Sequence, residues 1–129
     1  MFSPAVVTHG VKPWLKLPCG AITPKLGMAM YLNNGVLAIA TGATKPEYIC
    51  MEQHKTTVAA NTPVSVLPVS PEIIFETQAS AAMTSIKPGS KVTIATDGLR
   101  VTATTTDGTA KVLSIEGTAI GSNVRVCFE

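Results

Sequence analysis

Charge is scarce in this chain of 129 residues: Asp, Glu, Lys and Arg make up 14% of it, against ~25% in an ordinary domain. The ten basic residues are scattered singly and the net charge is +2. No basic stripe is interleaved with aromatics, so direct nucleic-acid binding has no support. Aromatics are few, at 5%, which leaves little material for the aromatic platforms of carbohydrate sites. Three cysteines, Cys19, Cys50 and Cys127, show no CxxC pairing. An odd count without regular spacing points to structural thiols and a reducing compartment. No apolar run nears the roughly 20 residues of a membrane helix, and the start lacks the basic-then-apolar pattern of a secretory signal. The expectation is a soluble protein made in the cytoplasm, with no membrane partner.

Reactive chemistry is equally thin. His9 and His54 lie in different segments with no second ligand at metal spacing. Glu72 and Glu76 fall on one face of a strand pattern, but Ile73 and Phe75 opposite them read as core, which leaves the glutamates wet. Asp97 and Asp107 each precede a glycine and read as turn residues serving their own backbone. The run 102–106 (TATTT) reads as a solvated strand end rather than a ligand-facing rim. No GxSxG nucleophile elbow or phosphate loop is present. The glycine-rich signature and aspartate arrangement of the trimeric dUTP hydrolases are missing too. The expectation is no enzyme, no cofactor and no metal site.

What the chain does have is alternation. Residues 91–128 run as four pieces of period two, with Val92 and Ile94, then Leu99, Val101 and Ala103, then Leu113 and Ile115, then Val124, Val126 and Phe128 on the apolar side. Period two marks strands with one buried face, and the intervening Asp97-Gly98, Asp107-Gly108 and residues 117–122 supply turns. This predicts a C-terminal antiparallel meander. Upstream, residues 28–32 and 36–40 flank Asn33-Asn34-Gly35, a hairpin signal. Residues 47–53 and 72–77 alternate as strands, while 54–61 reads as a polar link. Residues 63–70 have strand composition, but Pro63 and Pro68 suggest an edge or bulged strand. Residues 78–85 are the one candidate for a helical turn. The sum is about nine short strands in one all-β domain, a small antiparallel barrel or sandwich.

Residues 1–27 differ. Pro4, Pro13, Pro18 and Pro24 alternate with Gly10, Gly20 and Gly27, yet the segment is rich in Phe2, Val6, Val7, Trp14, Leu15 and Leu17. An apolar, Pro-punctuated stretch needs a surface, either its own barrel or a neighbour's. The expected division is an extended arm over 1–27 and a barrel over 28–129.

Four stretches resemble small structural proteins of tailed-phage head clusters: KPEYICMEQ (45–53), EIIFET (72–77), KPGSKVTIATDGLRVTAT (87–104) and IEGTAIGSNVRVCF (115–128). With the length and the apolar leader, the chain looks like a head decoration, or cement, protein. That resemblance implies a virion protein on the outer capsid surface, usually a homotrimer, whose N-terminal arm grips the major capsid protein. Phe2, Val6, Val7, Trp14, Leu15 and Leu17 would then be the capsid-binding residues, by strand addition with side chains in pockets. A tail, fibre or connector component, or a carbohydrate-binding or other ligand-binding barrel, are the alternatives.

Overall fold

The structure is a computed structural model that describes residues 1–7 and 14–128, except the side chains of Val6 and Val7. The described residues form eleven strands and no helix: β1 (Ser3–Val7), β2 (Leu15–Cys19), β3 (Ala29–Asn33), β4 (Val36–Ile39), β5 (Tyr48–Cys50), β6 (Thr62–Pro68), β7 (Ile73–Ala79), β8 (Lys91–Val92), β9 (Arg100–Val101), β10 (Ala110–Ile115) and β11 (Asn123–Phe128). The protein is therefore all-β, and its architecture joins two units. Strands β2, β4, β3, β5 and β6 close into a five-stranded barrel. The others form an open sheet in the order β1-β7-β11-β10-β8, with β9 also on β7.

Alternation assigns each side chain to one of two cores. Cys19, Met30, Leu37, Cys50, Val64 and Val66 fill the barrel. Their opposite neighbours Ala29, Ile49 and Leu67 face outward, onto the sheet's inner face of Ile73, Phe75, Val112, Val124, Val126 and Phe128. Barrel wall and sheet share one apolar layer, so the two units are one body.

Local chemistry explains most of the turns. Asn34 and Gly35 take φ of 52° and 84°, and Asn33 pairs with Val36 across the turn. These are the positive angles that a two-residue hairpin requires. β7 alternates buried and half-buried residues along its whole length, Ile73, Phe75, Thr77 and Ala79 facing in.

Several expectations are corrected. Residues 1–27 are not an arm set apart from a barrel beginning at 28. β1 pairs with β7 in the sheet and β2 pairs with β6 and β4 in the barrel. The physical reason is Phe2. It is 1% exposed and its ring meets Phe128 edge-on at 5.4 Å. Burying such a ring contributes about 2–3 kcal/mol, and the Phe2 amide donates to the Gly27 carbonyl at 2.9 Å.

β6 is also no edge strand, since it pairs with β2 on one side and β5 on the other. Its prolines are accommodated by ladder parity. The Val69 amide bonds Glu47 and the Ser65 carbonyl accepts from Met51, so odd residues of β6 face β5. The donor that Pro68 lacks points to the β2 side, beyond Leu15, which pairs with Val66. The donor that Pro63 lacks points to the β5 side, beyond Cys50, which also pairs with Val66.

The C-terminal meander is interrupted. Residues 93–95 and 100–102 do form a hairpin about Asp97-Gly98, and β10 pairs with β11. However, β9 lies parallel to β7 and β10 pairs with β8. The tail of β7 captures the hairpin: Thr77 Oγ1 donates to the Leu99 carbonyl at 2.9 Å and Ser80 Oγ to the Val101 carbonyl at 3.0 Å. In β10 the register shifts between Val112 and Ser114. This bulge at Leu113 makes Val112 fully buried and leaves Leu113 half-buried, the reverse of simple alternation. Residues 78–85 form no helix; Gln78 and Ala79 finish β7, and Met83 plugs the sheet's core.

Candidate functional site

Strand directions give the barrel two ends. At the upper end stand the start of β2, the β3–β4 turn, the start of β5 and the finish of β6. Leu15 shares the inward parity of Cys19, and Leu32 that of Met30, but both lie past the packed core. Leu15 is 41% exposed, Leu32 37%, and the adjoining Trp14 63%. The Leu32 amide is held by Glu47 Oε1 at 3.0 Å, which joins the β3 end to the β5 end.

Beside this apolar rim is an open recess of about 600 Å³. Tyr48 and Pro68, directly paired across β5 and β6, form part of its lining. Pro46, Val69 and Pro71 add apolar wall, and Lys45, Glu47 and Ser70 add polar groups. Ser70 Oγ is buried and has no hydrogen-bond partner among the described residues. The site is concave and within the size range of small-ligand pockets.

The lower end is closed. Ile22, Val58 and Leu99 pack against the barrel core there. The segments 22–26 and 53–58 are zipped together: His54 N donates to Pro24 O and Val58 N to Ile22 O, both at 2.9 Å, and Leu26 N donates to Gln53 Oε1 at 3.1 Å. Thr23 and Thr57 hydroxyls meet at 3.2 Å.

One side-chain cluster went unread in the sequence. Glu52 accepts from Ser65 Oγ at 3.2 Å through one oxygen and meets His54 Nε2 at 3.1 Å through the other. The bond to His54 holds its carboxyl below the usual range, assisted by Ser65 and opposed by partial burial. The glutamate sits between serine and histidine, so the imidazole does not reach the hydroxyl as a nucleophile's base must. The signal was faint: His54 and Glu52 are two residues apart, but Ser65 is brought in by β5–β6 pairing.

The sequence candidates are dispersed. Glu76 is half-buried and pairs with Arg125 at 3.8 Å. Glu72 lies outside β7, ahead of Ile73. Asp97 accepts from the Leu99 amide at 2.9 Å and from Arg100 Nε at 3.1 Å, both within its own turn. Thr104, Thr105 and Thr106 are exposed. Cys19, Cys50 and Cys127 are buried thiols, none of them in a disulfide. Burial pushes the Cys50 thiol up to about 11 and raises that of Cys19 as well. Among the described residues no group of three or more His, Cys, Asp or Glu converges as a metal site. His9 lies outside the described residues. Of the six arm residues, Phe2 is taken up by the core, Leu17 is half-buried against the barrel core, and Trp14 and Leu15 are exposed. The side chains of Val6 and Val7 lie outside the described ones.

No protein-family model matches this chain, and no curated protein matches it.

Proposed function

We propose that this chain is a structural binding module of a virion: a decoration subunit on the outer surface of a tailed-phage capsid, attached to adjacent major capsid subunits and acting as a homotrimer without enzymatic chemistry. The observation that carries this reading is the apolar upper rim, where Trp14, Leu15 and Leu32 are exposed, three of the six large hydrophobics that the described residues leave in the open; Met1, Leu26 and Ile120 are the others. A monomer in water gains nothing from such a rim, whereas a lattice neighbour dries it. The resemblance of residues 45–53, 72–77, 87–104 and 115–128 to head-cluster proteins supplies the class of partner. The low charge suits subunits packed flank to flank.

The grip differs from that of a free arm. Phe2 is unavailable as an anchor, and attachment falls to Trp14 and Leu15 at the start of β2. Each contact is weak by itself, and repetition around a trimer and across a lattice makes it firm. The mechanism is mechanical, clamping neighbouring shell subunits against the pressure of packaged DNA.

Co-sedimentation with tailed-phage heads stripped of their outer proteins tests the reading. The full chain should pellet with heads at a fixed ratio per three-fold position, and the double substitution Trp14→Ala, Leu15→Ser should release it while the fold persists. Binding to tails or connectors instead, or no binding to any virion part, would sink it. Sedimentation of the free protein should give monomer or trimer; a stable dimer contradicts three-fold placement.

A further inference from the structure

We propose that a second copy of this chain docks on a small apolar recess beside β1 and fills it with Ile120. The inference rests on the homotrimer proposed above and supplies the surface through which the copies meet.

Three exposed hydrophobics lie away from the upper rim: Met1, Leu26 and Ile120. Met1 and Leu26, with Pro4, Gly27 and Met51, line a second recess of about 180 Å³. That is below the ~300–1,000 Å³ of small-molecule pockets, so its size suits a single side chain. The polar groups of its wall are already engaged. Pro4 has no N–H. The Phe2 amide donates to the Gly27 carbonyl at 2.9 Å and the Gly27 amide to the Cys50 carbonyl at 2.8 Å. The Leu26 amide is given to Gln53 Oε1 at 3.1 Å, and Ser3 Oγ to the Glu76 carbonyl at 3.3 Å. Bonded in this way, the wall orients no polar ligand, and an apolar group gains by drying it.

Ile120 is the counterpart on the same chain. It is 69% exposed, the most of the six, in the turn between β10 and β11. The turn is held on both sides of it: the Gly121 amide donates to the Ala79 carbonyl and the Met83 amide to the Thr118 carbonyl, both at 2.8 Å. A knob on so firm a base loses little freedom on docking.

No molecule fills its own recess. β1 and β11 lie on opposite flanks of β7, two strand spacings or about 10 Å apart, and knob and recess are each bonded to the body. The contact is therefore head to tail, and a head-to-tail contact forms a ring when its rotation closes. Both parts sit at the Gln78–Ala79 end of β7, since the Met1 ammonium donates to Gln78 Oε1 at 3.2 Å.

Charge favours a second copy over an unrelated apolar partner. Glu116 is the one charged residue of 116–123. It is exposed; Asn123 Nδ2 donates to one of its oxygens at 3.2 Å, and the other has no partner among the described residues. Beside Leu26, Lys25 is exposed and pairs with no carboxylate among the described residues. The knob is thus flanked by an anion and the recess by a cation.

Sedimentation equilibrium of the full chain, up to about 1 mM, reads the association. Ile120→Asp should weaken it by about thirtyfold. Glu116→Lys and Lys25→Glu should each weaken it by about threefold, and the two together should restore it. In a mixture of Ile120→Cys and Leu26→Cys chains, copper-catalysed air oxidation should join unlike chains in preference to like ones. The proposal is overturned if the chain stays monomeric throughout, if Ile120→Asp associates unchanged, if the charge reversals do not rescue one another, or if like chains cross-link as readily as unlike. Head binding is a separate readout. Ile120-dependent trimers that fail to pellet with heads would sink the capsid reading and keep this one; heads decorated by a chain whose association ignores Ile120 would do the reverse.

Discussion

The two ends of the barrel share five strands and little else. The lower end is finished: Ile22, Val58 and Leu99 plug it, and a zipper of backbone bonds ties residues 22–26 to 53–58. The upper end stops with apolar side chains still in the open, Trp14, Leu15 and Leu32, beside a recess walled by prolines. Interior packing therefore does not account for the upper rim, since the same barrel closes well where loops are provided. The difference teaches that the chain plugs its barrel core at one end only, although Leu26 in the lower closure is itself 41% exposed. On the reading proposed above, a neighbouring molecule completes the other.

The contrast can be broken experimentally. The largest expected effect is on thiol chemistry. Cys19 and Cys50 lie in the barrel's core with no exposed surface, and the Cys50 thiol is raised to about 11 by burial. Alkylation in native buffer should run at least about 10³-fold slower than in denaturant, as it waits on unfolding. Rapid labelling would mean that the lower end opens.

Next comes the plug itself. Gly98 has φ of +70°, and a Cβ there would lie 2.6 Å from Ile39 Cγ2 and 3.2 Å from Met28 Cγ. Gly98→Val should cost about 3 kcal/mol by urea unfolding, from strain and overpacking together.

A smaller effect concerns pH. Glu52 has its carboxyl lowered in the folded state, chiefly by His54. Its stabilisation is therefore fully present above about pH 4.5, the ordinary carboxyl value, and is lost as pH falls through the depressed folded value. Glu52→Gln should remove that acid dependence at a cost of about 0.5 kcal/mol near neutrality, since the pair is partly exposed. An unchanged acid limb in the variant would assign the dependence elsewhere.

The smallest effect sharpens the comparison from the other side. Leu32→Ser and Trp14→Ala at the open end should alter stability by less than about 0.5 kcal/mol. A larger loss in either would show that the rim is packed core after all.

Much of the fold was legible because its signals are local. The Asn34-Gly35 turn, the alternation of Ile73, Phe75 and Thr77, and the apolar face of Val124, Val126 and Phe128 each need only a few residues to declare themselves. What escaped depends on partners far away in sequence. No window around Arg100 contains Gln78, so the parallel pairing of β9 with β7 was not readable. Pro68 looked like an edge signal because ladder parity is a property of three strands. The bulge at Leu113 inverts the parity of its own strand without a glycine to announce it. Residues 54–61 read as a polar link, although His54 and Val58 are bonded into the lower closure. The leader was judged by its prolines, while the burial of Phe2 depends on Phe128. The recess was unreadable for the same reason: Tyr48 and Pro68 are neighbours only after β5 and β6 pair.

The ring contact between Phe2 and Phe128, 5.4 Å between centroids, has a further consequence for how the protein comes into being. A ribosome delivers residue 128 well after residue 2, roughly 6 to 25 s later at typical rates of translation. Throughout that interval the nascent chain carries Phe2 without its ring partner. β7, which β1 and β11 flank on either side, has no final strand to accept. Maturation must therefore wait on distant pairing rather than on local turns, and slowing translation just before residue 128 should prolong the chain's dependence on chaperones.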